Sequence, residues 1–212
     1  MEAFAIQPRE MTCRTILYAA RAAHDAFRRD MDRLAAAAAA GKGRASHVRA
    51  GWENFKDLFR FHHDLEDRVL WPRVERAVAG RRAELAVLAE VRSDHARIEP
   101  LIGRVDAAMD DGGDLPPAVA ELRAALELHL RHEDSGALPL AASVLADEEW
   151  HEFATEARRR CEGRTPLFVP WVVDGIAPIE RSRFLTALPA PVRELNRVIW
   201  EPHYRKRRLW SV

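Results

Sequence analysis

Apolar residues recur at steps of three and four through four long segments of the chain, the repeat of helices that each bury one face. The first segment, residues 9–40, carries Leu17, Ala20, His24, Phe27, Met31 and Leu34 and runs out in an alanine stretch before Gly41-Lys42-Gly43. The second, residues 46–79, opens at Ser46, a residue type suited to capping a helix N-terminus. Its stripe is Val48, Trp52, Phe55, Phe59, His62, Glu66 and Val69. The third, residues 81–110, carries Leu88, Val91, His95, Ile98, Ile102, Val105 and Met109 and stops at Asp110-Asp111-Gly112-Gly113. The fourth, residues 115–145, takes Asp114 as its cap and Pro116-Pro117 in the first turn, where proline is tolerated; its stripe is Val119, Leu122, Leu126, His129 and Glu133. Short connections between long amphipathic helices predict antiparallel neighbours. The expected fold is therefore all-α, an up-down-up-down four-helix bundle over residues 1–158, with a further helix over 147–160.

The pattern changes between residues 158 and 165, at Arg158-Arg159-Arg160 and Gly163-Arg164-Thr165-Pro166. The remainder, 159–212, holds six of the 12 prolines and three of the six tryptophans. It predicts one short amphipathic helix, marked by Val192, Leu195 and Ile199 after Pro191, in an otherwise extended, proline-punctuated segment. Its aromatic content is too high for a disordered linker. Phe168, Trp171, Trp200 and Trp210 are expected to pack on the bundle or on a second subunit. The sharper alternative is a lid or partner-binding arm, which makes residues 166–212 the candidate surface for a homodimer or protein partner.

Charge refines this division. The chain has 33 Lys plus Arg and 33 Asp plus Glu, a balance that argues against bulk attraction to nucleic acid or anionic membrane. The balance averages two unlike parts: residues 159–212 carry 11 basic and 5 acidic side chains, residues 1–158 carry 22 and 28. The Tyr204-Arg205-Lys206-Arg207-Arg208 cluster reads as a solvated basic end. No apolar run approaches the roughly 20 residues of a membrane helix, and MEAFAIQPRE lacks the basic and apolar regions of a signal peptide. A cytoplasmic protein is expected. Two cysteines, Cys13 and Cys161, cannot make a disulfide framework or a cysteine-rich zinc site.

The chemistry lies in polar residues placed on apolar stripes. Each of the four helices puts a histidine there: His24, His62, His95 and His129. On the second and fourth helices a glutamate follows four residues later on the same face, Glu66 and Glu133. A buried carboxylate costs several kcal/mol unless it is paired or bound to metal, so this set converging in a core calls for a cation. Imidazole and carboxylate donors without thiolate fit iron, manganese or zinc, and two carboxylates placed to bridge suggest two ions. The block FHHDLEDRVLWP, 61–72, aligns without gaps to LHLRHEDSGALP, 128–139, matching His62 to His129, Glu66 to Glu133, Asp67 to Asp134 and Pro72 to Pro139. Two related helical hairpins are implied, each with a proline six residues past the glutamate that should kink or end its helix.

These residues, His24 in HDAFRRD, the block HHDLEDRVLWP, His95 in DHARIEPL and the block HLRHEDSGALP, resemble the hemerythrin-like (HHE cation-binding) domain family over residues 10–158. The resemblance implies a four-helix bundle around a non-haem di-iron centre with histidine ligands and bridging carboxylates. By matching position the ligands are His24, His62, Glu66, His95, His129 and Glu133. Two positions depart from the oxygen-carrying members. Glu99 stands where those have a second histidine on the third helix, and is left open as a ligand, a partner of His95 or a surface residue. Asp134 sits at their aspartate spacing, but Glu133 lies on the stripe and is preferred. Pro100 beside Glu99 is expected to bend the third helix. His63, Asp64 and Asp67 fall off the stripe and read as solvated, Asp67 with a supporting role as its alternative; His132 lies beside the stripe.

The resulting expectation is a cytoplasmic protein with two iron ions, manganese or zinc ranking behind, that binds or reduces a small oxidant: O2, peroxide or nitric oxide. An iron, oxygen or redox sensor signalling through the tail is one alternative, and a di-iron oxygenase with an organic substrate another. Whether a peroxidase-like, catalase-like or oxygenase turnover accompanies binding is left open.

Overall fold

The computed structural model describes residues 12–161 and 163–211. Among these the chain is all-helical, with no strand. The predicted first turn at residues 9–11 lies outside them. The helices are α1 (Cys13–Ala39), α2 (Ser46–Leu65), α3 (Trp71–Ala77), α4 (Arg82–Asp110), α5 (Leu115–His132), α6 (Leu138–Val144), α7 (Asp147–Arg160), α8 (Thr165–Val172), α9 (Pro178–Ala187), α10 (Ala190–Leu195) and α11 (Glu201–Lys206). No described helix is long and apolar enough to cross a membrane.

The chain divides into two compact units. One gathers Phe27–Leu145 with Leu209–Val212; the other gathers the chain up to Ala26 with Ala146–Arg208. The division falls inside α1, which is one unbroken helix.

In the first of these units the predicted stripes form the interior. Phe27, Met31 and Leu34 of α1, Val48, Trp52, Phe55 and Phe59 of α2, Val91, Ile98, Ile102 and Val105 of α4, and Val119, Leu122 and Leu126 of α5 are all buried. Cross-helix polar pairs fix the directions. Arg60 meets Glu99 while Lys56 meets Asp106, so α2 and α4 run antiparallel. Arg104 meets Glu121 while Asp94 meets His132, so α4 and α5 do too. Arg28 meets Asp134 and Asp32 meets Arg123, which sets α1 antiparallel to α5. Phe27 packs edge-on against Phe55 and Phe59, with ring centroids 5.6 and 5.2 Å apart. Ser46 is the first helical residue of α2 rather than its cap; Ala45 takes that position. Asp114 does cap α5 by position, without a side-chain hydrogen bond.

Before each of the two matched prolines, Pro72 and Pro139, the α-helix gives way to a π turn and then resumes. Between α2 and α3, Glu66–Leu70 form one π-helical turn, and Glu133–Ala137 form another between α5 and α6. Pro72 has no N–H for an α-type bond to the carbonyl of Arg68, and its ring would press on that oxygen. Widening the preceding turn avoids the clash, and the Trp71 N–H donates five residues back to the Glu66 carbonyl. Leu138 and Glu133 repeat the arrangement before Pro139. The Arg73 guanidinium donates to the Val69 carbonyl at 2.6 Å, supporting the widened turn. Pro100 lies inside α4.

The extreme C-terminal residues belong to this unit. The Trp210 N–H donates to the His47 carbonyl at 2.9 Å, and the indole lies over Gly51, where a Cβ would come within 2.4 Å of the ring. Arg208 and Trp210 hold positive φ, 50° and 66°, an uncommon conformation for residues with side chains that turns the chain into this seat.

In the other unit the expectation of an extended tail is overturned: residues 165–206 form α8 to α11. The prolines that seemed to forbid helix start it instead. Pro166, Pro178 and Pro191 each stand in a first turn, where the missing N–H has no partner to lose. A third π turn, Asn196–Trp200, precedes Pro202. Trp171, Val172 and Phe184 are buried, whereas Ile179, Val198 and Ile199 are exposed.

Candidate metal centre

The two π turns place the centre, because each begins with its glutamate. Glu66 and Glu133 are both buried, at 3% and 0% exposure, and the metal-binding atoms of His62, Glu66 and Glu133 lie within 4.8 Å of one another. Nε2 of His62 is 3.1 Å from a Glu66 oxygen, the i,i+4 contact the spacing predicted. Burial, and then the facing Glu133 carboxylate, push the Glu66 carboxyl well above the usual range.

A second group of donors, from His63, His95 and His129, also lies within 4.8 Å. His63 Nε2 and His129 Nε2 are 3.1 Å apart. The His63 ring stacks on His95 at 3.8 Å, and the His95 and His129 rings meet edge-to-face at 4.7 Å. Glu133 links the two groups: its oxygens are 3.6 Å from His95 Nε2 and 3.7 Å from His129 Nε2. Burial, reinforced by the neighbouring imidazoles, depresses the His63 pKa well below the ordinary value, which leaves it a neutral ring with a lone pair to offer.

His95 is oriented from behind. Its Nδ1 is 3.0 and 3.1 Å from the two oxygens of Asp67, which leaves Nε2 buried, facing inward and without a hydrogen-bond partner. Burial works against a charge on this ring, but the hydrogen bond to Asp67 and the nearby Glu133 carboxylate outweigh it and raise the pKa to about 9. A carboxylate fixing the far nitrogen of an inward-facing imidazole is a common support for a metal ligand; Asp67 itself is exposed, as its place off the stripe predicts, with 43% of its side chain accessible.

The remaining candidates sort by position. His24 is fully buried on α1, in the unit that holds the chain up to Ala26. Glu99 is more than half exposed and paired with Arg60 at 3.0 Å, away from both donor groups. Asp134 turns outward to Arg28 at 3.0 Å. His132 turns to Asp94 at 2.7 Å. His63, read from the stripe as solvated, is instead packed among the imidazoles.

The donor set is imidazole and carboxylate only, buried and without thiolate, and it suits iron, manganese or zinc. Two facing carboxylates in an apolar interior, with an inward imidazole nitrogen left over, are what a cation would satisfy, so the cluster is able to hold metal.

A model of the hemerythrin HHE cation binding domain matches residues 15–141. That is more than half of the chain, and the chain belongs to the hemerythrin HHE cation-binding domain family. No curated protein and no solved structure gives a significant match.

Proposed function

We propose that the protein is a cytoplasmic, non-haem di-iron protein that binds or reduces a small oxidant (O2, peroxide or nitric oxide), built as an antiparallel four-helix bundle with a C-terminal extension. The observation that carries the reading is the facing of buried Glu66 and Glu133, each flanked by the histidine four residues before it. The proposed ligands are His24, His62, Glu66, His95, His129 and Glu133. His24 is included from its place on the apolar stripe of α1.

When bound in this donor set, an iron pair supplies electrons and an open coordination position for the oxidant. The chain's own residues do the rest. Glu66 and Glu133 bring two negative charges that would offset part of the charge of two cations. Asp67 holds the His95 proton on Nδ1 and so keeps Nε2 available. Phe27, Phe55, Phe59, Ile98 and Leu126, each at most 1% exposed, exclude water around the centre and slow the escape of reactive species. The two cysteines are free, as a reducing compartment allows.

The reading is tested by metal analysis of the purified protein together with visible spectra after dithionite and after O2, peroxide or nitric oxide. Bound iron whose spectrum responds to these reagents supports it. A fully folded protein that takes up no metal, or iron indifferent to all three, removes it.

A further inference from the structure

The consecutive residues His62 and His63 face different parts of the centre. His62 Nε2 addresses Glu66, while His63 Nε2 addresses His129 and its ring lies flat on His95, with planes 14° apart. One π turn after this pair rewinds the helix, and both rings remain inside. We propose that His63 is itself a metal ligand, completing with His95 and His129 a three-imidazole pocket for one ion, unlike in donor chemistry to the carboxylate-rich pocket of His62, Glu66 and Glu133. This deepens the metal-binding reading above and rests on it.

Geometry argues for ligation over simple packing. Metal–imidazole bonds of roughly 2.1 Å put two neighbouring donors on one ion about 3.0–3.4 Å apart, and the His63–His129 nitrogens are 3.1 Å apart. A hydrogen bond between those two nitrogens would have the same length. It would still leave His95 Nε2 buried and without a hydrogen bond, 3.6 Å from a Glu133 oxygen, though a ring nitrogen of His95 lies within 4.8 Å of ring nitrogens of the other two. One ion among the three nitrogens accounts for all of them. Position 99, one turn beyond His95 on α4, offers a carboxylate that is engaged by Arg60 at the surface. The third imidazole of this pocket therefore comes from α2.

Two unlike pockets take different metals. The imidazole pocket favours cobalt, zinc and ferrous ions, and the carboxylate-rich pocket favours harder ones. Titration of metal-free full-length protein with cobalt(II), followed by visible absorption and by bound-metal analysis, tests this. The variant His63→Phe keeps an aromatic ring against Phe59 and His95 and so preserves the packing; His63→Asn is the smaller companion. Circular dichroism reports whether each variant folds. Wild type is expected to bind two equivalents in two spectrally distinct phases. His63→Phe is expected to lose the nitrogen-rich phase, its affinity falling at least tenfold, with helicity unchanged. His62→Asn is expected to weaken the other phase instead. If both His63 variants, folded, keep two equivalents with the wild-type spectrum, His63 is not a ligand and the metal-binding reading survives without it. If wild type binds no cobalt or iron, both readings fall together.

Discussion

Glu66 and Glu133 occupy one position in two copies of a local structure: each opens a π turn, each stands four residues after a histidine and each precedes a proline by six. Their carboxyl groups, drawn from sequence positions 67 apart, face one another in the interior of one unit within 4.8 Å. Without a cation this pair opposes folding. Replacing Glu66 by Gln keeps the shape and removes one buried acid. The metal-free variant is expected to be about 1–2 kcal/mol more stable than metal-free wild type, a rise in Tm of roughly 2–8 °C, and to lose tight metal binding in the carboxylate-rich pocket. Thermal melts with and without added iron check both halves.

The pH dependence of the metal-free protein follows from two groups with the same sign. Glu66 and His95 both have folded pKa values above their ordinary ones. Each therefore contributes stability below the ordinary value that is lost as pH rises through the folded value. For His95 the window runs from 6.5 to about 9; for Glu66 it opens above 4.5 and extends upward. The metal-free protein is expected to melt at progressively lower temperature across the His95 window. The metal-loaded protein, in which ligation replaces these protons, is expected to change much less, and metal binding should release protons. Melting curves across that window and calorimetry in buffers of different ionisation enthalpy measure the two effects.

Asp67 meets the cluster at the His95 ring, and on the proposed function it is a positioning residue. Asp67→Asn removes the charge that fixes the imidazole and is expected to weaken metal binding by roughly 10–100-fold. The His95 pKa should fall at the same time, a change that NMR titration of the metal-free protein detects. Asp67→Glu is expected to restore part of the affinity.

The C-terminal seat makes a separate prediction. An added Cβ at Gly51 would come within 2.4 Å of the Trp210 indole, so Gly51→Ala should unseat the tryptophan at a cost of about 1–3 kcal/mol. A red-shifted tryptophan emission and faster proteolysis after residue 206 are the expected signs. Unchanged emission would mean that Trp210 is not held there.

The centre was legible in the sequence where a residue's place depends on one helix alone. Steps of three and four put His62, His95, His129, Glu66 and Glu133 on buried faces, because i,i+4 geometry is local. His63 was missed because such counting chose one of two equivalent paths. From Phe59 to Glu66 the steps four and three pass through His63, as three and four pass through His62; the His-His doublet was the available signal. Glu99 is also four residues from His95, yet Arg60 of another helix holds it at the surface, a pairing that no single-helix pattern contains. In the tail, counting prolines as breakers placed the helix start at Pro191 but ignored that Pro166 and Pro178 also stand where helices begin.

The central claim is that the buried His and Glu cluster holds two metal ions. Bound iron per chain, measured on wild type and on a Glu66→Ala/Glu133→Ala double variant loaded under the same conditions, tests it most directly. Two irons in wild type and at most one, in the imidazole pocket, in a double variant of unchanged helicity are predicted. Equal iron in the two folded proteins, or a folded wild type that takes up none, would contradict the account.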